Sequence, residues 1–447
     1  MPITALLALA TAAMATGFAW RRTAWFSPAT LWSLLCFGNV AVLYAVILWN
    51  VHLPSLLISP MPSIRLGDRF AETAAFFAVL SLVGPFATLG LSPGGGRDHA
   101  TARERLSASL ERLGGSRMAA LYAIGAAGLA AAHFALIDKD VLLLNTDYLA
   151  LTDTRRNGLD GDLGTFVNNA FRPLALPAFL LLALRRGPRV DLVTLLLTAT
   201  AAYALLFSLA IYSRFLMVYV FVYCLGRLLS RRRSGGGVGG ALRLAAVGAA
   251  VFLAFAVAIA GRGLQIQGVA SIGAVLGQLD LGALEYLGIK LVVTTFDGGL
   301  AYANALGIEP AYDPLYQRLS FSPLPSLLDG FADVERRLGY RINAYVPVSA
   351  YAEARHFHPA LTLAFLAICA LVTRQATLGF FRHGDVATVA LYPAFLLCML
   401  KFQTYSMRTS LRLFVAIAVI SWIACALRRR KTADAQPTPD PAPTVTA

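Results

Sequence analysis

Charge is scarce in this chain. Only 14% of its 447 residues are charged, against about a quarter in soluble domains. That excludes an ordinary water-soluble fold. The long apolar runs lack strict apolar–polar alternation, which excludes a transmembrane β-barrel. Cysteine offers no metal or redox site. All five, Cys36, Cys224, Cys369, Cys398 and Cys425, lie inside apolar stretches and none has ligand spacing, so they read as packing residues. Neither HExxH nor a P-loop occurs, which weighs against a zinc peptidase or a cytosolic nucleotide enzyme. No internal repeat is visible.

Apolar residues fill the remainder. The chain is 57% hydrophobic and its mean hydropathy is +0.65. Apolar runs of about 20 residues recur along it, the length that crosses a bilayer as a helix. These features predict an all-α polytopic integral membrane protein of about 11 spans. The expected spans lie at 2–20, 28–48, 70–91, 118–137, 166–184, 190–210, 214–229, 244–261, 359–373, 387–402 and 409–427. The first lacks a basic leader and is followed by Arg21 and Arg22, so it reads as a retained helix and not a signal peptide.

The net charge of +14 resembles a nucleic-acid signal. Its distribution argues otherwise, because the Arg clusters punctuate the ends of apolar runs, as orientation in a membrane requires. Alternate connections carry Arg21 and Arg22, Arg97 to Arg112, Arg185 to Arg189, Arg231 to Arg243, Arg374 and Arg382, and the terminal Arg428, Arg429, Arg430 and Lys431. These are expected to be cytoplasmic, with the N-terminus periplasmic and the C-terminus cytoplasmic. Residues 1–430 then form one membrane domain. The Pro-rich tail at 431–447 reads as disordered.

Two connections of the opposite side are large, one from Asp138 to Gly164 and one spanning 262–358. Within the second, LDLGALEYLGIKLVVTTFDGGLAYANAL is apolar enough to suggest a further span. Asp280, Glu285, Lys290 and Asp297 make full insertion costly, so it is expected to be an interfacial or re-entrant helix.

Positive charge on that side is not explained by topology. Arg155, Arg156, Arg214, Arg262, Arg318, Arg341 and Arg408 all fall there. A single such Arg is usually a snorkelling residue or a loop ion pair. Arg214, in AIYSRFLMV, and Arg262, in IAGRGLQ, sit against apolar helix ends, where a guanidinium needs a compensating anion or cavity. Several Arg on one side suit a phosphate or pyrophosphate, which the planar fork grips through parallel bonds.

The segment YAEARHFHP, Tyr351 to Pro359, gathers Glu353, Arg355, His356 and His358 at the edge of an apolar run. If helical, it places Glu353, His356 and Phe357 on one face. Alternatively the membrane helix starts at Pro359, with His358 near its N-cap. A neutral His beside a helix N-terminus suits a general base. An interfacial belt of His and Arg meeting headgroups is the competing reading.

Four features together resemble the Wzy-type O-antigen polymerases, the oligosaccharide repeat-unit polymerases of bacterial inner membranes, and more distantly the O-antigen ligases. They are the many spans with one long late loop, YSRFLMVYVFVY, VVTTFDGGLAYANAL, and NAYVPVSAYAEARHFHPALTLAFL. The likeness covers about residues 118–427. In the last motif Tyr351 and Glu353 keep their places, while Arg355 and His358 stand where the family usually has glycines. The resemblance implies a GT-C-like, metal-independent glycosyltransferase without a cofactor. Its partners would be undecaprenyl-pyrophosphate-linked oligosaccharide, the lipid bilayer and commonly a chain-length regulator, with no nucleic acid. On this reading Arg214 and Arg262, supported by Arg155 and Arg408, hold the leaving pyrophosphate. Glu353, His356 or His358 is the base, Tyr212 and Tyr351 orient phosphate or sugar, and Tyr312, Tyr316 and Phe321 stack on sugars.

A ligase differs only in its acceptor. A transporter or flippase is expected to show ionisable groups within its spans. Here His133 is the main exception, and a lone His near a helix end is more often a packing residue. A membrane acyltransferase would want a catalytic His or Ser on a span, and no convincing one is visible. Arg214→Lys tests the forked grip, because it keeps charge and loses the planar fork. Glycan chain extension is expected to fall about tenfold or more, the effect of roughly 1.4 kcal/mol. Full-length glycan ladders from the variant would exclude a forked contact there.

Overall fold

The computed structural model describes residues 3–23, 27–48, 66–91, 116–144, 146–147, 161–185, 191–213, 215–229, 238–264, 266–305, 314–322, 349–382, 401–403 and 405–434, with isolated positions between them. The chain divides into two compact units. One comprises Met1–Gly95, Gly298–His383 and Ala390–Ala447, the other Gly96–Asp297 and Gly384–Val389.

The protein is an α-helical polytopic membrane protein. Among the described residues six helices are long and apolar enough to cross a bilayer, or seven if one bent pair counts as a single span. Of the other expected spans, that at 166–184 has an apolar part of Ala170–Leu184 and that at 214–229 one of Phe215–Arg227, both shorter than a bilayer requires. The span expected at 387–402 lies mostly outside the described residues.

The first unit opens with α1 (Ile3–Arg22) and α2 (Pro28–Leu48), followed by α3 (Leu66–Ser81) and the short α4 (Val83–Ala87). Helix α1 is small on its inner face and large on its outer one. Ala8, Ala12, Ala15 and Ala19 are buried at helical spacing, while Ile3, Leu7, Met14 and Phe18 are exposed. In water this would be inverted. In lipid, helices attract one another by close packing of small residues, and large apolar side chains face the acyl chains. Helix α2 packs on α3 and α4. Trp32 Nε1 donates to the Leu80 carbonyl at 3.0 Å and Ser33 Oγ to that of Ser81 at 2.7 Å. These bonds satisfy polar groups that lipid could not.

The second unit contains α5 (Arg117–Leu136), α6 (Lys139–Leu143), α7 (Gly161–Leu184), α8 (Leu192–Ala210), α9 (Phe215–Leu229) and α10 (Val238–Gly263). Helix α5 repeats the pattern of α1. Ala119, Ala123, Ala126, Ala130 and His133 face inward, whereas Met118, Leu121, Ile124 and Phe134 face out. Helix α7 contains Pro173 and Pro177, which disturb the backbone ladder. Two neighbouring phenols donate into it, Tyr219 to the Arg172 carbonyl at 2.9 Å and Tyr122 to that of Leu174. A two-residue antiparallel ribbon joins β1 (Thr146–Asp147) to β2 (Ile266–Gln267), with Thr146 opposite Gln267.

The stretch expected to be an interfacial or re-entrant helix opens on a bend of the kind that a broken span or a re-entrant loop makes. Helix α11 (Ile272–Gly277), led by a 3-10 turn, meets α12 (Leu281–Thr295). The two segments Val269–Gly277 and Leu281–Val292 bend by 106°. The break falls at Asp280, whose carboxylate caps α12 by accepting from Ala283 N at 2.6 Å. Helix α13 (Asp297–Ala305) follows, then α14 (Pro314–Ser320), α15 (Ala350–His356), α16 (Pro359–Arg382) and α17 (Met407–Asp434). Helix α16 extends beyond the expected end at 373. Helix α17 runs to Asp434, so the residues 431–434, expected to be disordered, are helical.

The start of α13 enters the core of the first unit. Gly298 N donates to Gln403 Oε1 at 2.8 Å and Gly299 N to Asn39 Oδ1 at 2.7 Å. Two carboxamides thus satisfy the open N–H groups of a helix end. Both glycines are required by space. A Cβ on Gly298 would lie 2.3 Å from Gln403 Oε1, and one on Gly299 2.8 Å from the Asn39 carbonyl oxygen. Gly298→Ala and Gly299→Ala are each expected to destabilise by about 1–3 kcal/mol through overpacking. Gly248→Ala meets nothing within 4 Å and is expected to leave the melting temperature in detergent unchanged or raised. Equal melting of all three variants would refute the close contact.

Candidate functional site

The segment 351–359 is two helices with a break, not one continuous face. Ser349 caps α15, its Oγ accepting from Tyr351 N at 3.2 Å. The short helix ends at His356, and Phe357 turns extended. His358 then caps α16, with Nδ1 accepting from Ala360 N at 3.3 Å and its carbonyl from Leu361 N at 2.8 Å. Its own N–H donates to Gln317 Oε1 at 2.9 Å. The pre-organised backbone angle of Pro359 starts the membrane helix there.

Glu353 is buried. Its Oε1 accepts from the Tyr316 hydroxyl at 3.0 Å and its Oε2 from Met407 N at 2.7 Å. Met407 begins α17, so the carboxylate sits at the positive end of a helix dipole. It therefore acts as an N-cap supplied by another helix. Arg355 points outward and pairs with Glu72 at 2.8 Å, a pair too exposed to matter much for stability. His356 is half-buried.

Tyr351 is buried among Phe77, Phe365 and Phe402, with ring centroids 5.1–6.3 Å apart. Burial pushes its phenol well above the usual range. It is a core residue in this conformation. Arg408 is also buried. Its guanidinium lies 4.1 Å from the Phe331 ring centroid and donates to the carbonyls of Leu319 and, at 3.0 Å, Leu324. One turn on, Arg412 Nε donates to the Ser322 carbonyl at 3.2 Å. Helix α14 ends at Ser320, so Arg408 holds a carbonyl of its last turn, where a cation is favoured, and the two cations together hold the chain just beyond it.

Tyr212 and Arg262 meet in the second unit. Arg262, half-buried at the end of α10, donates from Nε to the Tyr212 carbonyl at 2.9 Å. Tyr212 has φ 47°, the one non-glycine residue at positive φ among those described. That conformation costs about 1–2 kcal/mol. It is held by Tyr212 OH on Ser271 Oγ at 2.5 Å, by Ser271 Oγ donating to the Gly268 carbonyl at 2.7 Å, and by Gly268 N on the Ala210 carbonyl at 2.7 Å. A Cβ on Gly261 would lie 2.2 Å from the Tyr212 ring. Burial raises the phenol's pKa, partly offset by Ser271, so the hydroxyl remains a donor at neutral pH.

The same unit holds a polar cluster that the sequence reading passed over. Asn168 Oδ1 accepts from Arg172 Nε at 3.1 Å and pairs with His133 Nε2 at 3.3 Å. A carbonyl oxygen only accepts, so Nε2 carries the proton. The other ring nitrogen, Nδ1, then accepts from the Tyr203 hydroxyl at 2.7 Å. His133 is thus the bonded packing residue expected, yet it belongs to a four-residue network. An Arg inside NNAFRPLALPAF was the available signal.

Arg155, Arg214 and Tyr312 lie outside the described residues. Among the described residues no group of three His, Cys, Asp or Glu side chains could hold a metal ion. Two D-x-D triplets do occur, Asp138-Lys139-Asp140 and Asp160-Gly161-Asp162. In the first, Asp138 is spent as the cap of α6, accepting from Asp140 N at 2.8 Å. No protein family, no curated protein and no solved structure matches this chain significantly.

The Glu353 junction is testable without a substrate. Glu353→Ala leaves two buried donors unpaired and is expected to cost about 2–4 kcal/mol. In a double-mutant cycle, Tyr316→Phe and Glu353→Gln are expected to couple by about 1 kcal/mol in detergent unfolding. Strict additivity would show that the 3.0 Å contact contributes nothing.

Proposed function

We propose that the protein is a metal-independent membrane glycosyltransferase of the polysaccharide-polymerase type. It joins undecaprenyl-pyrophosphate-linked repeat units at the periplasmic face of the bacterial inner membrane, building O-antigen, capsule or another exopolysaccharide. A sugar hydroxyl of one lipid-linked unit attacks the anomeric carbon of another. The new C–O bond forms as the bond to pyrophosphate breaks, and the hydroxyl proton passes to a base. The observation that carries the reading is Arg262, fixed at a span end by a strained Tyr212 turn, two residues before Arg214. Strain of this kind persists where surrounding structure holds it, often at sites of function. Guanidinium groups there would stabilise charge developing on the leaving pyrophosphate.

Among the three base candidates, Glu353 has both oxygens engaged in joining helices. His358 uses Nδ1 to cap α16. His356, in the same segment, is the base candidate to test first. A ligase that moves glycan to a lipid A core fits the same chemistry with another acceptor. A transporter or flippase is the second reading, favoured by the His133–Asn168–Arg172–Tyr203 network between α5, α7 and α8.

Glycan analysis of a deletion strain separates these readings. A polymerase predicts surface glycan of a single repeat. A flippase predicts no surface glycan, with lipid-linked intermediates retained inside. A ligase predicts polymer left on its lipid carrier. Unchanged ladders would remove all three. His356→Gln is expected to abolish chain extension by about 100-fold, in the range of lost general-base catalysis, with the melting temperature kept.

A further inference from the structure

Gln267 has no exposed surface, yet neither its Oε1 nor its Nε2 meets a hydrogen-bond partner among the described residues. The hydroxyl of Thr146 is buried and unpartnered as well. The two residues are opposite each other in the β1–β2 ribbon, so their side chains lie on one face within contact of each other. Buried polar atoms are nearly always paired, because an unpaired amide is costly to bury. Three such atoms side by side define a polar patch built for a partner from outside the protein chain.

We propose that Gln267 and Thr146 form a subsite for the hydroxyl groups of a neutral sugar. The patch carries two amide hydrogens, an amide oxygen and a hydroxyl, with no charge. Adjacent sugar hydroxyls each donate and accept, which matches that set. An anion would leave the amide oxygen opposed, and an isoprenoid chain would leave all three atoms unpaired.

The place of the patch fixes which sugar. Gly268, the next residue after β2, bonds the Ala210 carbonyl, and Tyr212 two residues on accepts from Arg262. The ribbon is thus attached to the turn assigned above to the pyrophosphate. This inference rests on that assignment. The sugar bonded directly to the pyrophosphate would meet Gln267 and Thr146, making them specificity residues for the donor's first sugar. The patch is closed in this structure. A ladder of two residues is short enough to open for a ligand.

The test uses Gln267→Met with Thr146→Val, near-isosteres that remove the polar atoms, in the full-length protein. Removing unpaired buried groups is expected to leave the melting temperature in detergent unchanged or raised. Two probes are then compared by thermal shift, undecaprenyl pyrophosphate alone and the lipid-linked glycan extracted from the deletion strain. The wild type is expected to gain an extra shift from the glycan. The double variant should respond equally to both probes and extend chains at least tenfold less. An undiminished glycan increment in the double variant overturns the proposal. A lowered melting temperature without ligand also overturns it, since buried water would then be the partner. Unchanged ladders in the deletion strain would sink the polymerase reading instead, and the thermal-shift comparison would still decide the subsite.

Discussion

The carboxylate of Glu353 joins three segments far apart in sequence. One oxygen takes the Tyr316 hydroxyl from α14, and the other takes the first N–H of α17. Helix α14 has seven residues and α15 has seven, too few to be stable alone. Each is held from outside. Arg408 grips the Leu319 carbonyl in the last turn of α14 and, with Arg412, carbonyls just beyond it, while Tyr316 and Gln317 of that helix bind Glu353 and the start of α16. A single buried charge, compensated by a helix dipole and a phenol, thereby organises the entry to two long helices. Its polar neighbours are matched one for one, which is what burial of a carboxylate requires.

Lipid dictates the rest of the packing. Small residues turned inward on α1 and α5, with Leu, Ile, Met and Phe turned outward, give the helices close contact and leave the acyl chains a hydrocarbon surface. Helix ends and breaks then become the places where polar chemistry can gather. The capped start of α13, the Tyr212 turn and the 358–359 break are all of this kind.

Much of this was legible in the sequence. Apolar runs marked the six helices that, among the described residues, are long and apolar enough to cross a bilayer, because lipid imposes one rule along the whole chain. The Pro359 start of α16 followed from proline chemistry. The unusual environment of Tyr212 and Arg262 was signalled by Arg beside apolar helix ends. What could not be read was pairing across distance. Nothing local says that Glu353 meets residue 407, that Arg408 spends its donors on carbonyls, or that Asn39 and Gln403 converge on Gly298 and Gly299. Asn168 and Arg172 lie inside an otherwise apolar helix, where only the lone cation marks them in the sequence.

The polar groups of the two units differ in one informative respect. Glu353, Tyr316 and Met407 satisfy one another, so their arrangement is explained by folding alone. The side-chain polar atoms of Gln267 and Thr146 meet no partner among the described residues, and Tyr212 stores backbone strain in the turn that the ribbon is bonded to. Folding alone would favour an apolar side chain at 267, since that change removes a cost without removing a contact, whereas the strain at Tyr212 is offset in part by its buried ring and its bond to Ser271. Unspent hydrogen-bonding capacity and retained strain in neighbouring residues therefore point to the same place. In this chain that place is the end of α10 and the ribbon that follows it.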